Sequence, residues 1–161
     1  MNNQELKKAK EYALRSLTNR EQTEFQIRTK LQRKGYEEEV IETTVAFLKD
    51  YNYMNDQRFT EQYIAGHCQK MNRRELQQRL YAKGIKSNDI LDTYLELYEY
   101  NEEAVLEKVL DKYIRNKDIT EELTQKKVIA YFMQKGYSYG IVRSVLRKKT
   151  DIIHEGGVNN E

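Results

Sequence analysis

The sequence predicts an all-α protein of three tandem three-helix, helix-turn-helix-like repeats forming an elongated, curved molecule, and three observations carry that expectation. The 161 residues include no proline and only seven glycines, where average usage of about 5% would give roughly eight prolines. Lys-Gly followed by an apolar residue occurs at Lys34-Gly35-Tyr36, Lys83-Gly84-Ile85 and Lys135-Gly136-Tyr137, a recurrence of about 50 residues that marks an internal repeat. Each glycine is preceded by apolar residues at helical spacing, and before those by a residue that can cap a helix.

The first repeat (1–53) opens with a leading helix carrying Leu6, Ala9, Ala13 and Leu17, one apolar stripe at helical period. Thr23 is the expected cap of the second helix, and Gln26 completes a reciprocal capping box. Such a cap contributes about 1 kcal/mol by satisfying a first-turn N–H. Ile27 and Leu31 supply that helix's apolar face, and Gly35 ends it in the left-handed conformation that a Cβ disfavours, with Tyr36 folding back in a Schellman-type stop. Val40, Ile41, Val45 and Leu48 mark the third helix.

The second repeat (54–99) repeats the plan: Asn55 as cap, Phe59, Tyr63 and Ile64 on the leading helix, then Asn72 with Glu75, Leu76 and Leu80, then Gly84, then Ile90, Leu91, Tyr94 and Leu97. In the third (100–149), Asn101 is the expected cap before Val105, Leu106, Val109, Leu110 and Tyr113. Thr124 holds the cap position before Val128, Phe132 and Gly136, and Ile141, Val142, Val145 and Leu146 line the last helix. Lys127 stands where the box acid would be, so that start is expected to be less well held. Residues 150–161 lack a periodic apolar pattern and are expected to be a flexible, frayed tail.

Composition narrows the function classes. The charge is heavy in both signs, 28 Lys+Arg against 26 Asp+Glu, so partners must be read from local clusters. One cysteine, Cys68, and two histidines leave no ligand set at zinc spacing and no disulfide framework, which fits a reducing cytoplasm. No cofactor or metal is expected. His67 and Cys68 are adjacent and point about 100° apart on a helix, a poor nucleophile-base pair. No phosphate loop or catalytic triad order is present, so no enzyme is inferred. The N-terminus has no apolar signal region, and no run approaches the roughly 18 apolar residues of a membrane span.

Cations cluster by helix. Arg28, Lys30, Arg33 and Lys34 occupy a segment without acids, Arg73, Arg74, Arg79 and their neighbours surround the single Glu75, and Asp89 to Glu107 holds only acids. From Thr124 to Thr150 the seven cations Lys126, Lys127, Lys135, Arg143, Arg147, Lys148 and Lys149 meet no acid. Interleaved with Tyr131, Tyr137 and Tyr139, they point to an anionic partner, either DNA phosphates or an acidic protein surface. For single residues a solvated helix face is the plainer account. Lys34, Lys83 and Lys135 are explained by the helix dipole. The tyrosines at periodic positions, Tyr63, Tyr94 and Tyr113, are expected in the core or at repeat junctions rather than stacked on bases.

Tyr53-Met54-Asn55-Asp56-Gln57-Arg58-Phe59 is similar to the RecX signature of an aromatic, an aliphatic, Asp or Asn, Asp, any residue, a charged residue and Phe. Arg74-Glu75-Leu76 and Leu80-Tyr81-Ala82-Lys83-Gly84-Ile85 follow at the family's spacing, and the resemblance runs from about residue 10 to residue 148. The stretch His67 to Met71 departs from it, lacking the more basic, glycine- and proline-bearing turn of many members. The resemblance implies a monomeric, cytoplasmic, non-enzymatic regulator that lodges in the RecA filament on single-stranded DNA. It would alter, and in the main inhibit, ATP hydrolysis, strand exchange and filament growth, and free DNA would bind weakly if at all. The expected contact residues are Arg28, Arg33, Arg73, Arg74, Arg79, Lys126, Lys127, Arg143, Arg147, Lys148 and Lys149. Gly35, Gly84, Gly136, Asp56 and Phe59 would serve the repeat itself. A helix-turn-helix DNA-binding protein and a general helical-repeat adaptor are the alternatives, since caps and glycines explain fold rather than target.

Overall fold

The computed structural model describes residues 2–157. Among them the chain is helical throughout: α1 (Asn3–Asn19), α2 (Glu24–Arg33), α3 (Glu38–Asp50), α4 (Asp56–His67), α5 (Arg73–Ala82), α6 (Asp89–Leu97), α7 (Glu102–Ile114), α8 (Glu122–Lys135) and α9 (Tyr139–Gly157). The elements start where capping chemistry places them. Thr23 accepts from the Gln26 N–H (3.2 Å) while Gln26 Oε1 accepts from the Thr23 N–H (3.1 Å), completing the box. Asn55, Asn72 and Asn101 accept from Arg58, Glu75 and Ala104. The three Lys-Gly stops are left-handed, with φ of 84°, 89° and 109°. In each, the next residue's N–H returns to the carbonyl four before the glycine: Tyr36 to Leu31, Ile85 to Leu80 and Tyr137 to Phe132.

Two further stops of the same kind were not apparent from the sequence, because neither carries a glycine. Asn52 (φ 55°) and Glu99 (φ 49°) take the left-handed position, and Tyr53 and Tyr100 donate back to Leu48 and Leu95. Asn tolerates that conformation; for Glu the Cβ repulsion is uncompensated by any local side-chain bond of the Asx type.

The chain divides into two compact units. One contains residues 1–65 and 77–94, the other 66–76 and 95–161, so the divisions fall inside α4, α5 and α6. In the first unit Ala9 and Ala13 of α1 pack with Ile27, Leu31, Val40, Ile41, Val45, Leu48 and Met54. The two alanines let α1 approach α3 closely. In the second unit Leu106, Leu110, Val128, Phe132, Tyr137, Val142, Val145 and Leu146 form the core, joined by Ile119 from the α7–α8 connection.

Two expectations are corrected. Thr124 is not a cap: α8 begins earlier, at Glu122 after Glu121, which makes no side-chain capping bond. The chain enters through a turn in which Asp118 accepts from the Thr120 N–H (2.9 Å), and Gln125 donates to the Ile119 carbonyl (2.8 Å). Burial of Ile119 draws this connection onto the core and starts the helix nearly a turn early. The helix also continues past the expected break at residue 150, since Thr150 is buried and α9 runs through Gly157, while residues 158–161 of the expected tail lie outside the described residues. Its last seven described residues are all exposed, which is why no apolar period marks them.

Candidate partner interface

The signature residues and the glycines are accounted for by the way one three-helix segment meets the next. Within the first unit the N-terminus of α2 abuts the C-terminal end of α5: Thr23 Oγ1 donates to the Lys83 carbonyl at 2.5 Å. The Glu24 N–H, unpaired within its own helix, donates to Asp56 Oδ1 at 2.8 Å. A Cβ on Gly84 would stand 2.2 Å from Phe25 Cβ, so glycine is required by the neighbour as well as by its φ. Within the second unit the same construction recurs. Asn72 Nδ2 donates to the Lys135 carbonyl (2.8 Å), the Arg73 N–H donates to Glu102 Oε1 (3.3 Å), and a Cβ on Gly136 would lie 2.9 Å from Arg74 Cδ. Thr23 and Asn72 are fully buried. A mild effect of alanine at Gly84, which the φ alone would suggest, is therefore not expected from the structure.

The signature block reads accordingly. Met54 and Phe59 are buried, Asn55 caps α4, Asp56 closes the first turn of α2, and Arg58 forms a 2.7 Å ion pair with Glu21. Burial pushes the Asp56 carboxyl upward against the stabilising bond from Glu24. Each motif lysine also lies over a tyrosine ring, Lys34 on Tyr12, Lys83 on Tyr63 and Lys135 on Tyr131, at 5.3–5.7 Å. The dipole account of these lysines gains a second, cation–π component. Tyr63, Tyr94 and Tyr113 are half-buried.

The other sequence-selected cations separate by partner. Arg28 is held by Glu24 (2.9 Å) and by both carboxylate oxygens of Glu42 (2.8 and 3.0 Å). The bond to Glu42, opposed by burial and assisted by Glu24, raises its pKa further, and it fastens α2 to α3. Lys148 lies 2.5 Å from Glu103, whose hydrogen bond raises the lysine's pKa, and Lys149 lies 2.8 Å from Asp111. Lys126 pairs with Glu122. The seven cations of the 124–150 stretch are thus partly compensated by acids of α7 and the α8 start, which lie outside that stretch of sequence.

What remains is a defined face. Arg143 and Arg147 are exposed and have no carboxylate partner among the described residues, and with Gly140, Ser144, Lys148 and Asp151 they line a shallow groove of about 480 Å³ along α9. Arg143 donates to Tyr139 Oη (3.2 Å) and lies 5.9 Å from its ring, which fixes the guanidinium in place. Lys148, at the edge of this groove, and Lys149 tie α9 to α7 through Glu103 and Asp111, while Arg143 and Arg147 face solvent beside the half-exposed Tyr139. Lys127 and Arg74 in this unit, and Arg33 in the other, are exposed too. Arg79 and Arg73 both have interaction partners. Among the described residues no group of three or more His, Cys, Asp or Glu could hold a metal, and no helix is long and apolar enough to cross a membrane.

These features define a tandem three-helix protein whose glycine, cap and acid residues join successive segments. The sequence matches the first three-helix domain of RecX over residues 9–48 and the third over residues 101–146. It is 34% identical to the regulatory protein RecX of Clostridium tetani over 88% of this chain and 67% of that protein. The identity is 33% to that of Pasteurella multocida, over 78% of each. The crystal structure of RecX from Lactobacillus salivarius superposes with a TM-score of 0.74 at 21% identity, covering 91% of this chain and 97% of the other. The chain belongs to the RecX family.

Proposed function

We propose that this protein is a non-enzymatic cytoplasmic regulator that binds the RecA recombinase filament on single-stranded DNA and restrains its growth, ATP hydrolysis and strand exchange, and so acts on DNA repair and recombination. The reading rests on membership of a family of regulatory proteins. The structural observation that carries it is the open Arg143–Arg147 face of α9. Two guanidinium groups without a carboxylate partner, four and eight residues after Tyr139 on one helix, suit a carboxylate-rich or phosphate-bearing surface, because guanidinium forms bidentate bonds to either. Contacts to successive protomers of a repeating filament would reinforce one another through effective concentration.

The test follows RecA ATP hydrolysis on single-stranded DNA with this protein added well below the recombinase concentration, beside a binding control with DNA alone. Substoichiometric inhibition that is lost in Arg143→Glu/Arg147→Glu supports the reading. Inhibition unchanged in that variant removes α9 from the interface. Absence of any effect, with tight binding to particular duplex sequences, would replace the reading with a DNA-binding one. Arg74 is left intact in this design because its side chain packs on Gly136.

A further inference from the structure

We propose that the Gly35 end of α2 is an open seat for the N-terminus of a helix supplied by another protein, a helix capped by Ser, Thr or Asn and bearing a bulky side chain two residues after the cap. The chain builds this seat three times and occupies it twice. At Gly84 the occupant is the start of α2, with Thr23 donating to the Lys83 carbonyl and Phe25 over the glycine. At Gly136 it is the start of α5, with Asn72 donating to the Lys135 carbonyl and Arg74 over the glycine. Gly35 has the same left-handed φ and the same return bond from the next residue. Yet a Cβ there would meet nothing within 4 Å. Gly35, Arg33 and Lys34 are all exposed.

The two filled seats specify the ligand's chemistry. Each takes a small capping side chain with a proton to give, and each offers an acceptor to the first helical N–H: Asp56 and Glu102, one residue past the caps Asn55 and Asn101. Charge is complementary as well. The carbonyl end of α2 is the negative pole of its dipole and the incoming N-terminus a positive pole. The start of α8 in a second copy does not meet the specification. Its flanking residue is Glu121, which has no proton to donate when ionised, and the helix begins nearly a turn early.

The inference is independent of whether the partner is the recombinase filament, and its test uses no recombinase. The full ¹⁵N-labelled chain is titrated with a lactam-stapled peptide of its own residues 21–36, which presents Thr23 and Phe25. Saturable shifts are expected at the Gly35 and Tyr36 amides, with dissociation constants on the order of 1 mM, weakened about fivefold by Thr23→Val in the peptide. Gly35→Asn in the protein should abolish them, because Asn accepts the left-handed conformation while its Cβ occupies the seat. The peptide series tests the seat even if that variant folds poorly. Shifts centred on Gly84 or Gly136, or unchanged by Thr23→Val, would overturn the proposal. So would a self-association of the chain that Gly35→Asn removes, since the occupant would then be a second copy.

Discussion

Gly84→Ala against Gly35→Ala isolates the energetic weight of one segment junction. Both glycines sit at similar positive φ, 89° and 84°, so both substitutions incur the left-handed Cβ repulsion of about 1–2 kcal/mol. At Gly35 nothing else is disturbed. At Gly84 the new Cβ would stand 2.2 Å from Phe25 Cβ and 2.8 Å from its Cγ, both part of a helix's first turn rather than the free end of a long side chain. The start of α2 must therefore withdraw, which puts at risk the bonds from Thr23 to Lys83 and from Glu24 to Asp56. Each is worth about 1 kcal/mol net, and a stranded buried partner costs more. The expected loss is about 3–4 kcal/mol for Gly84→Ala and about 1–2 kcal/mol for Gly35→Ala. Urea denaturation followed by helical circular dichroism reads the difference as a midpoint separation of about 1–2 M. Phe25→Ala in the Gly84→Ala background should recover little of the loss, because alanine keeps the Cβ that makes the 2.2 Å contact. Equal midpoints for the two glycine variants would refute the junction as described.

Asp56→Ala should cost about 1 kcal/mol by leaving the Glu24 N–H without its acceptor, whereas Asp56→Asn, which keeps an acceptor and removes a half-buried charge, should cost less; thermal unfolding of the pair separates cap from charge. Glu99→Gly should raise stability by up to about 1 kcal/mol by relieving a left-handed residue, and an unchanged or lowered melting temperature would contradict the assignment. Tyr137 is 6% exposed and burial, with Glu102 and Glu75 nearby, pushes its hydroxyl up to about 12. A folded pKa above the unfolded value of about 10 means its contribution is complete below pH 10 and is lost as pH rises through the folded value. Unfolding midpoints measured from pH 9 to 12 should therefore fall, and fall less steeply in Tyr137→Phe.

Local rules made the fold legible. Thr23, Asn55, Asn72 and Asn101 are the residues that cap, Gly35, Gly84 and Gly136 are the residues that stop, and the buried positions Ile27, Leu31, Leu76, Leu80, Val128 and Phe132 are those the helical period selects. Thr124 misled because the same spacing from a glycine does not oblige a helix to start there. Ile119, nine residues before Val128, decides it by joining the core. The candidate face was less legible. Seven cations between Thr124 and Thr150 looked alike in sequence, but Lys148 and Lys149 face the acids of α7 while Arg143 and Arg147 do not.

The sequence by itself determined what depends on neighbours within a few residues: the helix starts after Thr23, Asn55, Asn72 and Asn101, the glycine stops, and which face of each helix is apolar, because capping and helical periodicity act over three to four residues. It also carried the family signature, without its reason. Tertiary structure alone decided the rest. That Asp56 completes the first turn of α2, that Thr23 and Asn72 donate to carbonyls some 60 residues away, and which cations remain unpaired are all pairings across the fold. Such pairings depend on which helix ends are brought together, and no local pattern encodes that.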